Sequence, residues 1–171
     1  MMLNVKTTMS TTNLTLPNLE DIIYTAGLFD GEGSISLAVH HGEKTKTGRP
    51  SNAPMLLIQL SNTDEQIIKW LIQTWQIGFI LVSYRPKRPT HRTAYSWKVY
   101  GAKAEWVLTA LSPYLKIKKP QAMLALESRK LIKPKGVKIG DAEMAVRMDY
   151  RDRIMKMNGR IRHPKKIQGI G

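Results

Sequence analysis

Nine consecutive residues, Thr25-Ala26-Gly27-Leu28-Phe29-Asp30-Gly31-Glu32-Gly33, hold the densest chemistry in the 171-residue chain. Glu32 stands between two glycines, so no bulky neighbour shields its carboxylate, and the Gly31 carbonyl lies beside it. A carboxylate and a free carbonyl are hard oxygens suited to Mg²⁺, which takes few protein ligands and keeps several waters. The same residues also read as a plain helix-to-strand turn whose acids serve only as caps. Gly27 and Gly31 are four apart, so they share one helix face and strip it of side chains, and Ala26 extends the bare patch. A glycine inside a soluble helix costs about 1 kcal/mol. Close approach of a second backbone, as between small-xxx-small helices, is a reason to keep two.

The elements that must position these residues follow from the apolar spacing. Leu19, Ile22, Ile23 and Ala26 recur at helical intervals, which predicts a helix over Leu19–Asp30 with Asn18 as N-cap, ended by Gly31 and Gly33. Ser34–His40 alternates, with Ile35, Leu37 and Val39 on one side and Ser34, Ser36 and His40 on the other, as a half-buried strand does. Met55–Ser61 is a second strand, its Leu56, Ile58 and Leu60 inward and Gln59 outward. Thr63 or Asp64 caps a helix whose Ile67, Ile68, Leu71, Ile72 and Trp75 make a stripe. Phe79–Arg85 and Thr93–Tyr100 form a hairpin with Leu81, Ser83, Arg85, Ser96, Lys98 and Tyr100 on one face. Helices are expected over Lys103–Leu111, Lys118–Lys130 and Asp141–Met157. The fold class is therefore α+β, in the order αββαββα with extra C-terminal helices. Its two hairpins join into one antiparallel, saddle-shaped sheet with helices on the opposite face. The expected organisation is a leader over 1–17, a single domain over 18–157 and a basic tail over 158–171.

Charge narrows the partner. With 27 Lys+Arg against 13 Asp+Glu the formal net charge is +14, which calls for a polyanion, and nucleic acid is the first candidate. An anionic membrane surface or a ribosomal location is the plainer alternative. The absence of cysteine excludes disulfides, thiolate nucleophiles and Cys-based zinc sites. No apolar run approaches the roughly 18–20 residues that span a bilayer, and the start of the chain lacks the order of a secretory signal. A soluble, intracellular protein is expected, its compartment undetermined. His40, His41, His91 and His163 are not at metal-ligand spacings. The nine methionines read as core filler.

The segment TAGLFDGEGSI resembles the signature of the LAGLIDADG homing endonucleases. The helix–hairpin–helix–hairpin–helix order over Leu19–Leu131 matches that family's core. Pro113-Tyr-Leu-Lys-Ile-Lys-Lys-Pro-Gln-Ala122 is similar to the second recognisable stretch of its single-motif branch. The resemblance implies a metal-dependent DNA endonuclease that promotes mobility of its host intron. Glu32 would be the metal ligand, with Gly31 lending its carbonyl. Mg²⁺ is the expected ion, and Mn²⁺ or Ca²⁺ can take its place. Lys118 would lie by the scissile phosphate, and Asn62 and Gln66 would order water. Relatives often carry Gln and Arg at those two places, so Gln66 leaves the pocket one cation short, and Lys69 is the candidate substitute. One motif copy implies a homodimer whose Ala26, Gly27 and Gly31 faces cross at a two-fold axis. The target would be long, pseudo-palindromic double-stranded DNA, cut to leave short 3′ overhangs.

On that reading base recognition falls to the open sheet face: Ser34, Ser36, His40, Gln59, Ser83, Arg85, Ser96, Lys98 and Tyr100. Arg85 and Lys98 match guanine edges and Gln59 matches adenine. Lys44, Lys46, Arg49, Lys87, Arg88 and Arg92 lie in the hairpin tips, where they would hold phosphates and register. Two other functions suit the same residues. One is an RNA-binding maturase that assists splicing of its own intron; the other is a non-catalytic DNA-binding regulator in which the motif helix is only a dimer contact.

Overall fold

The computed structural model describes residues 14–39, 53–84, 90, 92–132 and 139–159. The expected contacts His40, Lys44, Lys46, Arg49, Arg85, Lys87 and Arg88, most of the leader and most of the tail lie outside the described residues. Within them the order is α1 (Leu19–Glu32), β1 (Gly33–Ala38), β2 (Met55–Asn62), α2 (Glu65–Trp75), β3 (Phe79–Tyr84), β4 (Ala94–Tyr100), α3 (Gly101–Leu111), α4 (Lys119–Arg129) and α5 (Asp141–Met157). The four strands form one antiparallel sheet in the order β1-β2-β4-β3, so the two hairpins meet along β2 and β4. No helix of the described residues is long and apolar enough to cross a membrane.

Alternation along β2 explains the layering. Leu56, Ile58 and Leu60 are buried while Met55, Leu57 and Gln59 are only partly covered, so one face of the sheet meets the helices and the other is open. α2 brings Ile68, Leu71 and Trp75 to the buried face, each fully covered. Burying a side chain such as Ile68 or Leu71 contributes about 1.5–3 kcal/mol. Trp75 lies against Trp106 edge-on, with ring centroids 5.7 Å apart, and against Trp97 at 6.3 Å. Its indole N–H donates to the Thr25 hydroxyl at 3.2 Å, which ties α2 to α1. Trp97 Nε1 donates to the Ile77 carbonyl at 2.8 Å, so neither buried indole is left unpaired.

Helix α1 runs two residues further than its sequence suggests. Asn18 Oδ1 caps the first turn through the Asp21 N–H at 2.8 Å. At the other end Gly33 donates its N–H to the Phe29 carbonyl. Glu32 is therefore the last helical residue rather than the first beyond the helix. A Cβ at Gly33 would run into the carbonyl and ring of Phe29, so only glycine lets the chain turn straight from helix into strand there.

Two further expectations are corrected. None of the six methionines among the described residues is buried; Met123 and Met157 are openly exposed, and the core is filled by Leu, Ile, Ala and aromatic side chains. Leu14, inside the expected leader, packs against that core. Helix α5 covers the edge strand β1, and Asn158 Nδ2 donates to the Ile35 carbonyl at 2.8 Å, taking up a main-chain acceptor that an uncovered edge would present.

Candidate functional site

Helix α1 has two faces with different fates. Ile22, Thr25, Ala26 and Phe29 turn inward and are buried. Ile23, Tyr24, Gly27, Leu28 and Gly31 line a shallow outer hollow of about 430 Å³ that ends at Glu32. A Cβ added at Gly27 or Gly31 would meet nothing within 4 Å. The bare patch is therefore real at both glycines, but Ala26 is fully buried in its own chain and cannot belong to a contact face. Its place is taken by Ile23 and Tyr24, about half exposed at 48% and 54%. Tyr24 is steadied edge-on against Trp70, with ring centroids 5.2 Å apart.

The carbonyls at the end of α1 gather negative potential. Of the last four, which no helical N–H can reach, that of Phe29 is taken by the Gly33 N–H and that of Asp30 by the Lys118 ammonium. Gly31 has no donor four residues on, because Ile35 already belongs to β1. An acid at a helix C-terminus opposes the macrodipole at a cost of about 0.3–1 kcal/mol, and Glu32 sits there, exposed. A carboxylate and a carbonyl at the negative end of a dipole fit a hard divalent cation that keeps most of its water. Among the described residues there is no group of three His, Asp or Glu side chains that would hold such an ion from one chain alone.

Glu32, Ser61, Asn62, Thr63 and Ala94 line a second hollow of about 300 Å³. Asn62 is thus brought beside Glu32. Its Oδ1 accepts the Asp64 N–H at 2.9 Å and Asp64 Oδ1 accepts the Gln66 N–H at 2.8 Å, a relay that caps α2 and fixes the Asn62 side chain. Gln66 and Lys118 are not among the lining residues. Gln66 is exposed in the first turn of α2. Lys69 is engaged by Glu65 at 3.1 Å on the same helix, so it does not make up the missing charge in that hollow.

Lys118 is held by a residue that the sequence did not single out. The Asp30 carboxylate accepts the N–H of Lys116 at 2.6 Å and of Lys118 at 2.8 Å. Burial pushes the Asp30 carboxyl up, but the N–H groups of Lys116, Lys118 and Ile117 and the Lys118 charge outweigh it and hold the group below the ordinary 3.8. No local signal joins positions so far apart; only the fold of Pro113–Ala122 back onto α1 reveals the pair.

The open sheet face follows the register. Ser34, Gln59, Lys98 and Phe79 form one row, and Ser36, Leu57 and Tyr100 the next. The face is less polar than the serines suggested: Phe79 and Leu81 are each 42% exposed, and Phe79 stacks on Tyr100 with centroids 5.9 Å apart and planes 7° from parallel. Leu57 and Phe79 were readable from the alternation that selects Gln59 and Ser96. Two expected base contacts are corrected. Ser96 is fully buried under Gln59 and Ser61, with Gln59 Nε2 at 3.2 Å and Ser61 Oγ at 2.7 Å. A β-bulge between Val82 and Tyr84 seats Tyr84 opposite Ala94, and Ser83 becomes the extra residue, its hydroxyl spent on the Ala94 carbonyl at 3.1 Å. Arg92, at the foot of the second hairpin, is exposed.

The helix-faced four-stranded sheet with a carboxylate at the tip of α1 is the LAGLIDADG homing endonuclease fold. The chain is similar to the homing endonuclease I-CvuI in complex with its target in the presence of Ca, with a TM-score of 0.64 and 17% identity over 85% of both chains. It is also similar to the archaeal intron-encoded homing endonuclease I-Vdi141I complexed with DNA, at 0.63 and 15% identity over 87% of this chain and 89% of that one. Against meganuclease I-SmaMI bound to uncleaveable DNA it scores 0.54 at 15% identity, spanning 84% of itself but 45% of that chain. No family model and no curated protein sequence matches the chain.

Proposed function

We propose that the chain is a site-specific homing endonuclease that works as a homodimer and hydrolyses both strands of a long, pseudo-palindromic DNA target, leaving short 3′ overhangs and promoting mobility of its host intron. One observation carries the reading: the exposed Glu32 carboxylate ends a helix whose outer face is bare at Gly27 and Gly31, beside an open antiparallel sheet. The similarity to DNA-bound homing endonucleases supports the substrate class, and the net charge of +14 supports a polyanion. The match to about half of the I-SmaMI chain agrees with two copies making the working unit.

Crossing two α1 helices at their glycines brings both Glu32 carboxylates together, where like charges repel unless a cation lies between them. Glu32 and the Gly31 carbonyl of each chain would hold Mg²⁺, for which Mn²⁺ or Ca²⁺ could substitute. When bound there, the ion would supply Lewis-acid charge for hydrolysis of a phosphodiester. Asn62 orders water in the hollow beside Glu32, and Gln66, one helical turn on, assists it. Lys118 presents its ammonium at the end of α1 and polarises solvent near the phosphate. Lys98 and Gln59 face the major groove, and the basic hairpin tips hold phosphates.

The experiment is digestion, in Mg²⁺, of a duplex joining the sequences that flank the coding element, with the element itself removed. A double-strand cut with 3′ overhangs is expected, and none in the duplex that still carries the element. Tight binding to the intron transcript without scission of either duplex overturns the reading in favour of an RNA-splicing role.

A further inference from the structure

Three side chains on the open face form a closed triangle. Gln59 Nε2 lies 2.9 Å from Ser61 Oγ and 3.2 Å from Ser96 Oγ, and the two hydroxyls are 2.7 Å apart. Counting protons favours the amide orientation with Nε2 toward the serines. With Nε2 toward the serines, its two protons serve two contacts and one hydroxyl proton serves the third. With the carbonyl turned inward, two hydroxyl protons would serve only two of the three contacts and leave the 3.2 Å pair without one. Only the first arrangement gives all three contacts a proton. Ser96 is fully buried, so it also anchors the group to the sheet.

We propose that Gln59 reads a base amino group through its carbonyl oxygen alone, its amide N–H groups being held by Ser61 and Ser96. Among the described residues Oε1 has no hydrogen-bond partner, and Gln59 stands in the open-face row between Ser34 and Lys98. The inference rests on the reading of this sheet as a major-groove surface. A free glutamine takes adenine at two points, giving to N7 and receiving from N6. A Gln59 held by the serines can only receive. It therefore accepts the N6 amine of adenine or the N4 amine of cytosine on the strand it faces, and it meets the O6 of guanine or the O4 of thymine as one lone pair meets another. Its selectivity is amino over keto rather than adenine over all others.

The test is selection of randomised duplexes by the full chain in Ca²⁺, with wild type, Q59A, Q59E and the S61A/S96A double variant. Q59A marks the position in each half-site that Gln59 governs, because its preference flattens there. At that position wild type is expected to favour A or C over G or T by about tenfold, and Q59E, an acceptor without amide protons, to keep the preference. Freed from the serines, Gln59 in S61A/S96A can turn and donate, so replacing the amino base by hypoxanthine should weaken wild type about tenfold and leave the double variant within about twofold. Should the double variant fold poorly, wild type against Q59E on the hypoxanthine duplex decides alone, both losing affinity if the carbonyl does the reading. A preference for G or T, no position flattened by Q59A, or a Q59E that loses amino selectivity overturns the inference. Failure of wild type to enrich any duplex overturns the DNA-binding reading and this inference together.

Discussion

Asp30 and Lys118 clasp each other in both directions: the Asp30 carboxylate accepts the Lys118 main-chain N–H at 2.8 Å, and the Lys118 ammonium donates to the Asp30 main-chain carbonyl. The clasp closes the loop before α4 onto the end of α1, two residues from Glu32. A cation at that helix terminus also offsets the dipole that Glu32 opposes. The acid that holds Lys118 and the acid proposed to hold the metal are thus different residues of one motif.

The clasp makes stability fall in acid. A carboxyl held below its ordinary 3.8 in the folded chain contributes stability that is fully present above that value and is lost as pH falls through the depressed one. Denaturant midpoints for wild type and Asp30→Asn, taken at about pH 5 and about pH 2.5, should differ more at the higher pH and converge at the lower. An unchanged gap would show that Asp30 is not charged in the clasp.

Scission and binding should separate at Glu32 and Lys118. Glu32→Gln is expected to lower single-turnover cleavage by roughly 10³-fold, since metal-assisted stabilisation supplies several kcal/mol. Lys118→Met should lower it by roughly 10²-fold. Duplex affinity in Ca²⁺, read by gel shift, should stay within about threefold for both. A loss confined to affinity would move Lys118 to the binding surface.

At Gly27 the two states of association respond in opposite senses. A methyl there meets no atom within 4 Å, so Gly27→Ala should stabilise the isolated chain by up to about 1 kcal/mol through helix propensity. The same methyl stands where a second helix would approach in the proposed dimer, and Gly27→Leu should abolish that dimer in sedimentation while leaving far-ultraviolet circular dichroism intact. A persistent dimer would place the contact elsewhere.

Thr25→Val tests the tie between α1 and α2. It removes the oxygen that accepts from the buried Trp75 indole at 3.2 Å and leaves that N–H unpaired, at a cost of about 1–3 kcal/mol. Urea unfolding followed by tryptophan fluorescence should show a lower midpoint with an unchanged slope.

Much of the architecture was legible in the order of residues. The strict alternation of Ser34–Ala38 and of Met55–Ser61 named the buried face of β1 and β2, and α5 begins and ends where the pattern places it. Where two apolar stripes lie on one helix, periodicity does not choose between them. Ile22 and Ala26 turned inward, Ile23 and Tyr24 outward, and the expected contact face was therefore wrong at Ala26. Ser83 and Ser96 were misread for related reasons, because a bulge adds a residue without breaking the alternation and a hydrogen-bonded neighbour covers a serine that points off the sheet.

Backbone geometry repeats every two or 3.6 residues, so helices, strands, caps and the glycine-bare face of α1 follow from local spacing alone. The Asp30–Lys118 clasp, the Gln59–Ser61–Ser96 triangle and the meeting of Glu32 with Asn62 do not. Each joins groups from separate elements, and their distances exist only once β2 has docked on β4 and the segment before α4 has folded back on α1. Side-chain type can state what a group is able to donate or accept; which partner it finds, and which atom is left free for a ligand, depends on packing.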